Sequence, residues 1–284
     1  MTGPEPVALA TAPPFNARVL FDFLRRWAVP GVELVDERDG QLRYARAVRL
    51  ARGPGLIRVT WTGGRLLAEL RVQPGDEAEA TAKIRSLCDL DADPATIDDH
   101  LGRDPHLAET VAAAPGLRIP GTTDPDELAF QVLIGQQISM AAAVTCAAKI
   151  TDAYGELLAA PGFGLTRLFP TAAALAEVDP TELPMVRARG RALVGLARAL
   201  TEGIVDLSGA WPLAEARKAL LALPGIGPWT ADSIAMRALA DTDVLLATDL
   251  VIKRELSSRG VTDATAWAPY RSYATLHLWR PYVS

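Results

Sequence analysis

Leu220 to Glu255 reads LLALPGIGPWTADSIAMRALADTDVLLATDLVIKRE. A helix ending near Ala222 runs into Leu223-Pro224-Gly225-Ile226-Gly227, and Pro228 suits the first position of the next helix, where its fixed φ is right and its missing N–H would have no partner anyway. The pattern is that of a helix-hairpin-helix. Its two glycines allow a tight turn and leave the backbone bare, so that N–H groups of the turn and of the following helix can meet a phosphate. Taken alone, the string PGIG is equally an ordinary tight connection between two helices.

Beyond that second helix, Trp229 to about Leu239, comes a short turn at Asp241-Thr242-Asp243 and then an apolar run, Val244 to Ala247. Thr248-Asp249 follows, and a new helix begins at Leu250. Asp249 therefore stands at a helix N-terminus. Aspartate fills that place routinely as an N-cap, so position alone does not make it chemical.

Working outward, the first part of the chain has a different character. Leu56 to Val72 contains two alternating runs, Ile57/Val59/Trp61 and Leu66/Ala68/Leu70/Val72, joined by Gly63-Gly64, which is a hairpin signal because both glycines tolerate positive φ. Asn16 can cap a helix bearing Val19, Leu20, Phe23, Leu24 and Trp27, and a second helix fits Glu77 to Cys88. After Pro115-Gly116 the strand signal stops. A boundary there divides an α+β unit, residues 1–115, from an all-α region, residues 116–284. Asp124-Pro125-Asp126-Glu127 opens a helix that runs to Gly135, and Ser139 can cap the next. Further helices fit residues 172–178, 185–203 and 213–222.

Composition narrows the function. The chain has 284 residues, 49% of them hydrophobic, enough for two domains with ordinary cores. No apolar run reaches the roughly 18 residues of a membrane span, and the start lacks a secretory signal, so a cytoplasmic protein is expected. Cys88 and Cys146 are far apart, and His100, His106 and His277 are scattered, so neither an iron–sulfur cluster nor a zinc site is expected. A net charge of -5 argues against coating nucleic acid through bulk charge. It leaves open a directed site built from backbone N–H groups.

An acid two dozen residues beyond a Gly-Pro-rich hairpin resembles the helix-hairpin-helix, Gly/Pro, Asp superfamily of DNA base-excision glycosylases. Within it the chain is most similar to the AlkA-type DNA-3-methyladenine glycosylases. Strings resembling that family occur in register at four places: PGLRIPG at Pro115–Gly121, LIGQQIS at Leu133–Ser139, LPGIGPWTA at Leu223–Ala231 and YRSYATLHLW at Tyr270–Trp279. The resemblance implies an N-terminal α+β domain with a TATA-binding-protein-like antiparallel sheet, followed by the all-α helix-hairpin-helix region. It implies a monomer acting on double-stranded DNA that contains alkylated bases, with no membrane association.

Position by position, the resemblance makes Asp249 the catalytic carboxylate and Trp229 and Trp279 walls of the base pocket. Phe23, Ser233 and Leu250 complete the pocket, Ser233 standing where the family has an aromatic residue. Gln137 falls where a residue fills the gap left by the extruded nucleotide, and family members can carry leucine there. Ser139, Gly225, Ile226, Gly227 and Thr230 fall on the DNA-binding face. No cofactor is required, and the carbonyls of Leu221, Leu223 and Gly225 match a hairpin site for a monovalent cation such as sodium. In strand-cleaving members, a lysine that forms a Schiff base occupies the position of Trp229. The tryptophan here implies a monofunctional enzyme in which water attacks C1′.

The chemistry suits a single carboxylate. Glycosidases ordinarily use two carboxyl groups, one protonating the leaving group. An alkylated purine such as 3-methyladenine or 7-methylguanine already carries positive charge and leaves neutral, so the general acid can be omitted. An aromatic pocket attracts such a cation by about 0.5 to 2 kcal/mol. Three other readings compete: a helix-hairpin-helix glycosylase of different base specificity, a non-catalytic module that only grips phosphate, and a small-molecule hydrolase with an α+β appendage, for which no nucleophile motif is present.

Overall fold

The computed structural model describes residues 5–283, with side chains described through Arg280. Near the N-terminus, β1 (Val7–Leu9) precedes the helix α1 (Ala17–Trp27), whose N-cap Asn16 accepts the Val19 N–H as expected. Strands β2 (Glu33–Arg38), β3 (Gln41–Leu50), β4 (Gly53–Thr62) and β5 (Arg65–Arg71) complete a five-stranded antiparallel sheet of order β1-β5-β4-β3-β2. Between β4 and β5 the Thr62–Arg65 pair closes on Gly63 and Gly64, with φ of 54° and 74°, the positive values a two-residue hairpin of this twist requires. The alternation read from sequence sorts the faces. Tyr44, Val48, Ile57, Val59, Leu66 and Ala68 turn to a core shared with α1 and with α2 (Glu77–Leu87).

The helices that follow pack away from the sheet. In α3 (Pro94–Gly102) and α4 (Ala108–Ala113), Ile97, Leu101 and Val111 pack with C-terminal residues such as Met236, Leu246, Trp267 and Tyr273. The division between cores thus lies between Leu90 and Ile97, ahead of residue 115. Pro115-Gly116 instead begins a strap. Within it the buried Arg118 donates to the carbonyls of Asp89, Ala92 and Ala12, at 2.8, 3.1 and 2.6 Å.

The main helical body comprises α5 (Pro125–Ile134), α6 (Met140–Tyr154), α7 (Ala172–Ala176), α8 (Arg187–Thr201), α9 (Leu213–Ala222) and α10 (Pro228–Ala238). Phe130, Leu133, Ile150, Leu193, Leu196, Leu220 and Ile234 form its core. Asp124 and Ser139 cap α5 and α6, accepting the N–H groups of Glu127 and Ala142. Then come α11 (Leu250–Ser258), a single 3-10 turn at Thr265–Trp267, and α12 (Arg271–Val283). Among the described residues no helix is long and apolar enough to cross a membrane.

The all-α expectation for residues 116–284 needs one correction. A hairpin of β6 (Leu157–Gly162) and β7 (Leu165–Arg167) interrupts the helices. Leu158, Leu165 and Leu168 pack on the second face of the sheet, where Ala45 and Ala47 leave room and Leu56 supplies area. Phe163, at φ 54° in the turn, lies under the guanidinium groups of Arg58 and Arg71, 4.3 and 4.0 Å from its ring centre.

A buried ionic knot joins the sheet to α5. Arg46 on β3 places Nη2 2.6 Å from Glu127 Oε2 and Nη1 3.6 Å from Glu33 Oε1, all three side chains being less than 10% exposed. Tyr44 donates its hydroxyl to Glu33 at 2.5 Å, and Gln131 donates its amide to Glu127 at 2.9 Å. Burial pushes the Glu127 carboxyl up to about 7 against the opposing pull of Arg46.

Candidate active site

The hairpin and the first turn of α10 form as the sequence implies, with Pro228 opening the helix. Gly225 adopts φ 87°, and a Cβ there would lie 2.6 Å from Cβ of Ala192 on α8, so glycine is required both by conformation and by close approach. Arg217 on α9 and Asp232 on α10 brace the two helices through a 2.6 Å contact. Gln136, to which the sequence reading gave no role, donates its amide to the Gly225 carbonyl at 3.1 Å and to Thr230 Oγ1 at 2.7 Å. It ties the α5–α6 connection to the hairpin.

Asp249 is indeed the N-cap of α11. Its Oδ1 accepts the N–H groups of Val251 (2.8 Å) and Ile252 (3.1 Å). The same carboxylate takes two indole N–H groups: Trp229 Nε1 donates to Oδ2 at 2.9 Å, and Trp279 Nε1, from α12, to Oδ1 at 3.2 Å. Four donors from three helices fix the plane of this one carboxyl group. A plain cap needs only the backbone pair.

Beside it opens a cavity of about 350 Å³, lined by Phe23 and Trp27 of α1, Gln131 and Val132 of α5, Trp229, Ser233 and Arg237 of α10, Val251, and Trp279. A groove of about 610 Å³ adjoins it, lined by Gln136, Gln137, Gly225, Gly227, Thr248 and Leu250. Trp229, Asp249 and Val251 border both spaces, which places the carboxylate at the mouth between groove and cavity.

The structure brings together Asp249, Trp229, Trp279, Phe23 and Ser233, and corrects several neighbours. Leu250 is 82% exposed and borders only the groove, while Val251 reaches the cavity as well, because the first helical residue after the cap turns outward in the phase that turns the second inward. Ile226 is buried in the helical core, and Thr230 is buried against Gln136, so each has only backbone to offer a DNA strand. Ser139 is exposed but spends its hydroxyl capping α6, and it borders neither space. Gln137 is exposed on the groove with φ 55°. Trp27 supplies the aromatic area that Ser233 lacks. It sits one turn after Phe23 on α1, a spacing that could have pointed to it.

Arg237 is partly buried in the cavity wall. Its Nε donates to the Pro120 carbonyl at 2.8 Å, and its guanidinium carbon lies 4.8 Å from the centre of the Phe23 ring. Burial lowers its pKa to about 10, leaving it a cation at neutral pH. At the hairpin, the carbonyls of Leu223 and Gly225 each already accept one hydrogen bond, from Ile226 N–H and Gln136. Each keeps a second lone pair, and neutral carbonyl oxygens of this kind suit a hard cation of low charge.

Residues 6–124 match the family described as AlkA N-terminal domain. The chain is 34% identical over 279 residues to DNA-3-methyladenine glycosylase 2 of Escherichia coli (strain K12), covering 94% of both proteins. It is 39% identical over 286 residues to a probable bifunctional transcriptional activator/DNA repair enzyme AlkA of Mycobacterium tuberculosis, covering 98% of this chain but only 57% of that longer protein. Among solved structures, the fold is shared with a 3-methyladenine DNA-glycosylase from Archaeoglobus fulgidus (TM-score 0.80, 21% identity, 99% of each chain). It is shared also with a Clostridium acetobutylicum 8-oxoguanine glycosylase/lyase in complex with DNA (TM-score 0.76, 18% identity, 99% of this chain and 98% of that one). With near-complete coverage of the Escherichia coli protein and the carboxylate set between two indoles beside a glycine hairpin, the chain belongs to the AlkA family of DNA-3-methyladenine glycosylases.

Proposed function

We propose that the protein is a monofunctional DNA glycosylase that extrudes alkylated bases from duplex DNA and hydrolyses their N-glycosidic bond. The observation that carries this reading is the Asp249 carboxylate, held by four N–H donors at the mouth of an aromatic cavity. DNA lies along the outer groove. Its phosphate meets the bare hairpin and the N-terminus of α10, whose first-turn N–H groups have no intrahelical acceptor. The carbonyls of Leu221, Leu223 and Gly225 would hold a monovalent cation against the same phosphate. Gln137 fills the space vacated in the stack.

The extruded base enters between the aromatic walls, with its sugar left beside Asp249. As the glycosidic bond breaks, its electron pair passes to the base and positive charge grows on the sugar, where the fixed carboxylate stabilises it at no cost in reorganisation. Water bonds to C1′ and gives up a proton, leaving an abasic site and a free base. Among the described residues no lysine lines the cavity, and Trp229 occupies the position of a Schiff-base amine, which favours water as the nucleophile.

Chromatography of bases released from methylated DNA tests the reading. Wild type should free alkylated bases and leave abasic strands intact until alkali is added. Asp249→Asn should bind DNA and lose release by orders of magnitude; near-normal excision by that variant overturns the mechanism.

A further inference from the structure

We infer that Arg237 sets the lesion preference of this pocket, donating to the carbonyl oxygen of a neutral damaged base and disfavouring a cationic one. The inference rests on the glycosylase reading and concerns the deep end of the same cavity. Trp229, Ser233 and Arg237 follow one another at four-residue steps along one face of α10. At 1.5 Å per residue, the first and last are about 12 Å apart along the axis. Asp249 and Trp229 border both groove and cavity, whereas Ser233 and Arg237 border the cavity and not the groove, Arg237 also lining a small space of about 20 Å³ that it shares with Glu33, Arg46 and Glu127. A base whose sugar rests at Asp249 therefore points its far edge at Ser233 and Arg237.

That edge meets donors. Arg237 has Nε committed to the Pro120 carbonyl, and its terminal nitrogens make no hydrogen bond to any described residue. Nor does it form an ion pair with any described carboxylate, since the nearby Glu33 and Glu127 are held by Arg46. Ser233 Oγ is buried without a partner, and serine's small size keeps the guanidinium reachable past it. The cavity is thus aromatic and aliphatic along its walls but charged at its two ends, with an acid at the sugar end and a cation at the far end.

The consequence depends on where charge moves. When a neutral base departs, the glycosidic electron pair gives it negative charge, which a carbonyl can carry to its oxygen. A guanidinium donating there stabilises the departing base in the role usually taken by a general acid. A base that is already cationic gains nothing from this and is repelled. Loss of one such charge-stabilising donor lowers the rate by about a hundredfold.

The test compares two substrates under single-turnover conditions: a duplex with one O2-methylthymine, neutral with a carbonyl away from the sugar, and methylated DNA releasing 3-methyladenine, cationic with none. Wild type, Arg237→Met, Arg237→Lys and Ser233→Tyr are measured. Arg237→Met should lower the ratio of neutral-base to 3-methyladenine release by about a hundredfold, the greater loss falling on the neutral base, with Arg237→Lys recovering part of it. Ser233→Tyr, which screens an intact Arg237, should move the ratio the same way and serves if the Met variant does not fold. An equal loss on both substrates, or an unchanged ratio, overturns the assignment of Arg237 while leaving the glycosylase reading intact. Failure of wild type to free either base overturns both.

Discussion

Trp229 donates its indole N–H to Asp249 Oδ2 across 2.9 Å, so a wall of the pocket and the carboxylate at its mouth form one hydrogen-bonded unit. The aromatic face and the N–H donor can be separated by mutation. Trp229→Phe keeps most of the face and loses the donor. A hydrogen bond to a charged group contributes about 1.5 to 3 kcal/mol, so single-turnover base release should fall by about ten- to a hundredfold with DNA affinity little changed. Equal rates for the two proteins would show that the indole serves only as a surface.

At the hairpin, Gly225→Ala meets two obstacles, a φ of 87° and the Ala192 methyl 2.6 Å away. The variant should be less stable by about 1 to 3 kcal/mol and should bind DNA more weakly by fluorescence anisotropy. Adding Ala192→Gly should restore part of the stability by removing the clash, but not the part due to the dihedral angle.

Arg46→Met should be among the most damaging substitutions far from the pocket. It leaves Glu33 and Glu127 buried without their shared cation, and breaking a buried pair in this way costs about 3 to 5 kcal/mol. Urea denaturation at neutral pH measures the loss. The triple replacement with Glu33→Gln and Glu127→Gln should be milder, because no charge is then left unmatched.

His277 gives stability a pH dependence. Its ring is fully buried and makes no well-formed hydrogen bond among the described residues, the Thr110 backbone near it opposing the shift only weakly. Burial, with the charge of Arg280 adding to it, lowers its pKa from 6.5 to about 4. The unfolded chain therefore binds a proton between those values that the folded chain refuses. The stability contribution is intact above pH 6.5 and falls as pH drops toward 4, by about 3 kcal/mol in all. Denaturation curves for His277→Leu should show a flatter slope over that interval.

The helix-hairpin-helix and the aspartate beyond it are legible in the sequence because both are local: two glycines, a proline and a cap residue at fixed spacing determine their own backbone. The pairing of Trp229 with Trp279 was reached only through resemblance, since fifty positions separate them. Elsewhere local pattern failed where tertiary contact decides. The β6–β7 hairpin exists because Leu158 and Leu165 find Ala45 and Ala47, a contact across more than a hundred positions. The run Gly162-Phe163-Gly164 was its one turn signal. Leu250 and Val251 differ only in helix phase, which depends on where the cap falls. Arg237 has the composition of a surface residue and becomes part of the pocket because Pro120 and Phe23 arrive beside it.

Phe23 and Trp27 come from α1, which packs against the sheet, yet they close one side of a cavity whose carboxylate and opposite walls belong to the helical body. Neither half of the molecule is therefore a self-sufficient catalyst. A fragment beginning after Leu90 would retain the acid and both indoles that grip it, but its cleft would open sideways to bulk solvent, and a flipped base would slide out as readily as it slid in.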